Sequence, residues 1–217
     1  MPVCHKNKFI YLHIPRCGGT SLEAHFKLLK KSNCYGVVNG FRRVTVLHHL
    51  TGQDLLEFGR VSISTYDEYF KFTVIRDPFF RLASDYVWQK KHDRHKEFGK
   101  LSFPQFIGRA EEIVQDRAFH KKQHFEHFRP MTEYCFHNGK LMVDDILLLE
   151  FLSEEIRRIR PIVGLVDLPH LNTSGSYEEL DTTHNRDLVY GLYSSDKILY
   201  DRMATVKTST EDAVHAV

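Results

Sequence analysis

Short apolar runs alternate with longer amphipathic stretches along most of the chain, the rhythm of an α/β protein. Residues 9–14 and 70–75 give the strongest strand signals. Each is a β-prone run that stops at a proline and a cation, Pro15-Arg16 in the first and Arg76-Asp77-Pro78 in the second. Behind the first run, residues 21–31 predict a helix with Leu22, Phe26 and Leu29 on one face. Behind the second, residues 79–91 predict a longer helix, with Asp77 as its N-cap and Pro78 in its first turn.

The other segments are shorter. Residues 44–47 form an apolar run ending at His48-His49, and residues 53–58 predict a helix that Thr51 can cap. Helical spacing recurs over residues 103–114 and 119–128, over 154–160 behind Ser153 as a cap, and over 185–205. Residues 134–136 and 141–143 flank Asn138-Gly139, a strong hairpin signal, and 145–150 reads as another strand. Residues 90–100 are charge-rich and expected at the surface, and 168–176 read as a polar loop. No repeat, low-complexity tract or linker interrupts the pattern, so residues 1–217 read as one α/β domain.

Composition narrows the picture by exclusion. Apolar content of 42% and charged content of 27% are those of an ordinary globular protein, and a formal charge of +2 is too small for a general nucleic-acid or polyanion binder. Cys4, Cys17, Cys34 and Cys135 show no metal-binding or redox spacing, which fits free thiols in a reduced compartment. No apolar run reaches the roughly 18 residues of a membrane span, and the N-terminus lacks an apolar signal-peptide core. The expectation is a soluble, cytoplasmic protein, with a Golgi-lumenal domain separated from its anchor as the alternative.

The chemistry gathers at the two strand ends. In Pro15-Arg16-Cys17-Gly18-Gly19-Thr20-Ser21 a strand, a glycine turn and a helix start follow one another, which is the plan of an anion cradle. The cation precedes the glycines, and both the Gly-Lys-Ser/Thr ending of a Walker A loop and an obvious Walker B strand are missing. A nucleoside triphosphate with magnesium is therefore a poor match. Arg76 repeats the plan at the end of the second strand, where open α/β sheets bind ligands, and Ser84 lies two helical turns beyond it. Arg81 is expected to pair with Asp77, four residues earlier on the same helix.

Together these stretches resemble the sulfotransferases that use the donor PAPS (3′-phosphoadenosine 5′-phosphosulfate), nearest to the carbohydrate O-sulfotransferases of the heparan-sulfate 2-O and 6-O type. Pro15 to Ser21 is similar to that family's Pro-Lys-x-Gly-Gly/Ala-Thr-Ser element for the 5′-phosphosulfate, and Val74 to Tyr86 to its Val-x-Arg-Asp/Asn-Pro-x-x-Arg-x-x-Ser-x-Tyr element for the 3′-phosphate. Weaker similarity continues through His49-Leu50-Thr51, residues 126–130, 144–150 and 168–172. Arg16 departs from the family's lysine; it keeps the charge but is bulkier and forked. The resemblance implies a P-loop NTPase-like three-layer α/β/α fold with a mainly parallel sheet, and a carbohydrate or glycan acceptor. It also implies donor contacts from Arg16, Cys17, Gly18, Gly19, Thr20, Ser21, Arg76 and Ser84, with PAP (adenosine 3′,5′-bisphosphate) as product and no metal.

Sulfuryl transfer to a hydroxyl needs a donor clamp, charge stabilisation on the leaving oxygen and a base. His49, in a His-x-Thr before a short helix, is the first candidate for the base and His48 the second, against the plainer reading of a histidine packed beside the helix. His120, His124 and His127 recur at helical spacing; part of an acceptor groove or a solvated face fits them better than a metal site. His127 and Arg129 are the candidate acceptor contacts. Tyr86 and Trp88 are read as core, with stacking on a sugar or adenine as the alternative. The basic run Lys90, Lys91, Arg94, Lys96 and Lys100 is read as a solvated face or a receiver of an acidic glycan, and Asn172, Thr173 and Ser174 as a turn or a nucleotide lid. The competing functions are a P-loop-type small-molecule kinase and a non-catalytic PAP- or glycan-binding module.

Overall fold

The computed structural model describes residues 3–28, 35–37, 44–92, 97–122, 124–164 and 177–215. At its centre lies a four-stranded sheet of β1 (Val3–Cys4), β2 (Phe9–Leu12), β5 (Phe70–Ile75) and β8 (Asp145–Leu148), in that spatial order. β1 runs antiparallel to β2, whereas β2–β5 and β5–β8 are parallel, with Tyr11 opposite Phe72 and Val74 opposite Leu147. All four side chains of β2 and the last four of β5 are buried, as strands covered on both faces must be. Thr73, polar within β5, satisfies its hydroxyl by donating to the Leu12 carbonyl at 2.7 Å.

Each central strand feeds a helix. β2 leads to α1 (Gly19–His25), which starts earlier and stops sooner than the sequence suggests; Leu29 lies outside the described residues. After β3 (Tyr35–Val37) and β4 (Val44–Val46), a 3₁₀ turn over Leu47–His49 delivers the histidine pair to α2 (Gly52–Glu57). Thr51 caps α2 as expected, in a reciprocal capping box with Asp54. α3 (Ile63–Glu68), capped by Ser62, was not expected from the apolar pattern. β5 then leads to α4 (Pro78–His92), where Asp77 Oδ1 accepts from the Phe79 and Phe80 amides.

A second apolar cluster forms on the far side of α4. Phe79, Leu82, Ala83 and Tyr86 pack there against Phe103, Phe106 and Ile107 of α5 (Phe103–Gln115), the 3₁₀ turn Phe125–Phe128, and Val189 of α8 (Thr183–Leu192). Phe98, inside the charge-rich stretch expected at the surface, is 1% exposed and belongs to this cluster.

Three expectations are corrected. The described residues of 119–128 do not form one helix: His124 sits at φ 71, a left-handed conformation that breaks α-helical propagation, and a 3₁₀ turn follows. His120, His124 and His127 therefore do not share a helical face. Ser153 lies inside α7 (Leu152–Val163), whose N-cap is Phe151. Residues 185–205 are split by Tyr193 between α8 and α9 (Ser194–His215), because Tyr193 is buried and donates to the Phe128 carbonyl at 2.9 Å. The Asn138-Gly139 turn forms as expected, both residues at positive φ, between β6 (Phe136–His137) and β7 (Lys140–Leu141), behind the short helix α6 (Thr132–Cys135).

Cys4, Cys17 and Cys135 are free thiols, and Cys34 lies outside the described residues. No helix among the described residues is long and apolar enough to cross a membrane.

Candidate active site

The carboxyl ends of β2 and β5 open onto one pocket of about 380 Å³. Its lining brings together His13, Arg16, Gly18, Gly19, Thr20 and Ser21 from the first segment with Arg76 and Ser84 from the second, and Leu149 and Glu150 after β8 close it. Gly18 is the N-cap of α1 at φ 78, and no side chain caps that helix start. A Cβ on Gly18 would fall 2.7 Å from the Leu149 methyl, so the turn needs glycine for its backbone angle and for space.

Arg16 connects the two segments. Its Nε and Nη2 both donate to the Ser84 hydroxyl, at 3.1 and 2.9 Å, and its guanidinium lies 5.8 Å from the Trp88 ring centroid. Burial lowers its pKa from the ordinary arginine value, with Asp85 the leading opposing influence, and a guanidinium remains charged at neutral pH. Arg16 also adopts φ 67, an unusual conformation for a residue with a Cβ, while its side chain lines the pocket and reaches Ser84 on α4. Arg76 stands at the other end of the pocket, 5.9 Å from the Phe80 ring and 5.8 Å from Tyr177. Glu150 accepts from the Asp77 amide at 3.3 Å, and burial is the first cause of its raised pKa, which moves it toward the neutral form in the pocket it lines with Arg16 and Arg76.

Cys17, expected at the donor, points the other way. Its amide donates to the Ile14 carbonyl, its sulfur lies 3.9 Å from that of Met131, and burial pushes the thiol up to about 12. Arg81 does not pair with Asp77. It is 4% exposed and donates to the carbonyls of Pro15 at 3.3 Å, His127 at 2.7 Å and Arg129 at 2.8 Å. That position explains the correction. An arginine pointing inward from α4 can satisfy three loop carbonyls that no secondary structure pairs. It thereby fixes the cradle loop to the segment around residue 127.

Beside the pocket lies a buried group of histidines and carboxylates. His13, at the end of β2, is 4.8 Å from His49 and 5.0 Å from His48 between ring centroids, and the His48 and His49 rings stack at 4.1 Å. His48 Nδ1 lies 3.0 Å from Glu23 Oε2, His49 Nδ1 3.3 Å from Glu126, and His127 Nδ1 2.7 Å from Asp85. Burial, reinforced by neighbouring histidines, pushes His49 well below the usual histidine range, so its ring is neutral at pH 7. Burial alone would raise the Glu23 carboxyl, but the His48 and His13 rings beside it outweigh burial and hold the group at about 2. Ligand atoms of His13, His48 and His49 come within 4.8 Å of one another, as do those of His49, Glu126 and His127. Carboxylates face the Nδ1 atoms, an arrangement suited to holding and passing protons.

The two expected acceptor residues have different surroundings. His127 joins the histidine group, 5.1 Å from His49 and 5.2 Å from Trp88 between ring centroids. Arg129 is buried, with Nη1 donating to Asp54 at 2.6 Å and Nη2 lying 2.8 Å from His120 Nε2, and it does not line the pocket. Trp88 is half-buried and stacks with His92 at 4.9 Å. Arg94, Lys96, Asn172, Thr173 and Ser174 lie outside the described residues.

Sequence reasoning missed His13, Glu23 and Glu150. His13 had a signal, since it is the one charged-capable residue in the apolar run 9–14. Glu23 had a weaker one, an acid next to Leu22 on a short helix. A family model described as "Sulfotransferase family" matches residues 1–203. No curated protein and no solved structure matches the chain. Both strand-end motifs fall inside the matched span and open onto one pocket; the chain belongs to the sulfotransferase family.

Proposed function

We propose that the protein transfers the sulfuryl group of PAPS to a hydroxyl of a carbohydrate or glycan, releasing PAP. The observation that carries this reading is the single pocket shared by Arg16, Gly18, Gly19, Thr20 and Ser21 on one side and Arg76 and Ser84 on the other. Two anion-binding groups at adjacent parallel strand ends suit a donor phosphorylated at both 5′ and 3′ positions. The fold is read as P-loop NTPase-like, and no step in this scheme calls on a metal.

In this mechanism the glycine turn, Thr20 and Ser21 hold the 5′-phosphosulfate, and Arg76 with Ser84 holds the 3′-phosphate. Arg16 neutralises charge growing on the leaving phosphate oxygen, where a preorganised cation in a confined site contributes most. The acceptor hydroxyl attacks sulfur in line; its O–S bond forms as the S–O bond to phosphate breaks. The proton passes to a histidine of the stacked pair. His49 is the first candidate, because its ring is neutral at pH 7 and Glu126 faces its Nδ1, and His48, held by Glu23, is the second.

Calorimetry with PAP and with ATP–Mg²⁺ tests the donor, and turnover of labelled PAPS over a panel of glycans tests the reaction. The expected result is PAP binding without ATP–Mg²⁺ preference, transfer by the wild type, and loss of transfer in His49→Ala or His48→Ala. Preference for ATP–Mg²⁺ would favour the kinase reading, and tight PAP binding with no transfer to any acceptor would favour a binding module.

A further inference from the structure

We propose that His13 is a catalytic residue that meets the donor's phosphosulfate, and that Glu23 is the positioning residue that holds it. The proposal rests on the donor reading above and adds a second histidine function, distinct from the base.

Three observations place His13. It is 3% exposed, yet it lines the pocket together with Gly18, Gly19 and Thr20. The Cδ2–Nε2 edge of its ring lies over Gly19, so close that a Cβ there would overlap both atoms. Nε2 is thus the atom presented at the start of the cradle. At the opposite corner of the ring, Nδ1 lies 3.2 Å from Glu23 Oε1, in ion-pair range but not aligned for a hydrogen bond. Both of those atoms are sealed from solvent with no other hydrogen-bond partner among the described residues.

Buried polar atoms left without partners are costly, and a facing pair of them marks a place where a proton is to be held. Glu23 is well suited to hold it, since His13 and His48 keep it ionised. Around His13 stand Glu23 from α1, His48 and His49 from the 3₁₀ turn, His127 from the segment before α6, and Tyr11 stacked at 5.8 Å. Glu23 is the one anion among them. Empty, the buried ring favours its neutral form. A phosphosulfate over Gly19 adds a second anion on the Nε2 side, so the ring takes a proton from water as the donor binds.

Imidazolium Nδ1–H then donates to Glu23, and Nε2–H donates to the oxygen that becomes the leaving phosphate. As the S–O bond to phosphate breaks, that hydrogen bond strengthens on the developing charge. The acceptor's proton still goes to the His48–His49 pair, and the proton on His13 returns to water when PAP leaves. Glu23 touches both His13 and His48, so one carboxylate orients the donor-side ring and one ring of the base pair.

The test is calorimetry of PAP binding in buffers of different ionisation enthalpy, which counts protons taken up per PAP bound. At a pH above the usual histidine range, the wild type is expected to take up a substantial fraction of one proton. His13→Gln is expected to abolish that uptake and weaken PAP, and Glu23→Gln to reduce the uptake. In PAPS turnover, His13→Gln is expected to lower kcat by about 10²–10³-fold, the usual loss for one donor aimed at developing charge. Glu23→Gln should shift the acid limb of the pH–rate profile, which a merely structural carboxylate would not move. The wild-type proton count needs no variant to fold. PAP binding with no proton uptake, or with uptake unchanged in His13→Gln, overturns the proposal alone. No PAP binding by the wild type overturns the donor reading and this proposal together.

Discussion

Gly19→Ala puts the His13 placement to a direct physical test. The added Cβ would meet His13 Cδ2 and Nε2 at well under 3.0 Å, a separation real Cβ atoms essentially never show. The ring has little freedom to retreat. It is 3% exposed, with Tyr11 stacked on it and His48, His49 and Glu23 around it. Overpacking of this kind costs about 1–3 kcal/mol. Replacing glycine by alanine in a helix returns at most about 0.5–1 kcal/mol. The net expectation is destabilisation of about 1–2 kcal/mol, or a fall in Tm of about 2–8 °C for a chain of this size. A double-mutant cycle isolates the contact. Once His13→Ala has removed the ring, Gly19→Ala should be neutral or slightly stabilising, giving a coupling of about 1–3 kcal/mol. Urea unfolding followed by fluorescence of Trp88, the chain's one tryptophan, reads all four variants. An equal cost of Gly19→Ala with and without His13, or no cost in either, would refute the placement of the ring.

Three further outcomes are expected. Arg81→Leu strips three loop carbonyls and the nearby Asp196 of their cation and should cost about 3–5 kcal/mol in urea unfolding; Arg81→Lys should recover only part, since one ammonium lacks the guanidinium's spread. Wild-type stability in Arg81→Leu would show that the linkage carries no weight. Arg16→Ala should lower PAPS turnover by about 10²–10³-fold with little change in Tm, and undiminished turnover would remove Arg16 from the mechanism. Burial holds His13, His49 and His120 in the neutral form, so the unfolded chain takes up their protons first as pH falls below 6.5. Each of these histidines should therefore reduce stability by up to about 1.4 kcal/mol per pH unit from 6.5 down to its folded pKa. Glu23, held at about 2 against an ordinary 4.5, adds to the loss between those values, while Glu126, Glu150 and Asp196, pushed up by burial, act in the opposite sense. His49→Gln separates one contribution: its unfolding free energy should fall less than the wild type's between pH 7.5 and 5.5, and equal losses would sink the assignment.

Local sequence carried the elements whose causes are local. The β5 run ends where Arg76-Asp77-Pro78 ends it, Asp77 caps α4, and Thr51 with Asp54 starts α2, because each feature depends on neighbours a few residues apart. The segment around residues 119–128 illustrates the opposite case. Its spacing suggests a helix, but His124 adopts a left-handed backbone and the carbonyls of His127 and Arg129 bond to Arg81, more than forty residues away. The single helix expected over residues 185–205 is divided at Tyr193, whose hydroxyl bonds to Phe128. In each case a distant partner outweighs a propensity worth only a few tenths of a kcal/mol per residue.

The candidate site divides in the same way. Arg16, Gly18 to Ser21, Arg76 and Ser84 were legible as pocket residues because strand–turn–helix junctions show in consecutive residues. That these two junctions share one pocket, that Arg16 reaches across to Ser84, and that Arg129 and Cys17 turn away from it are facts of packing. Residue order alone carried the strand–turn–helix pattern, the family and the two candidate motifs. Packing gathered His13, Glu23, His48, His49 and Glu126 into one largely buried group, because a carboxylate on α1 finds its histidines through space, where sequence spacing records nothing of the distance.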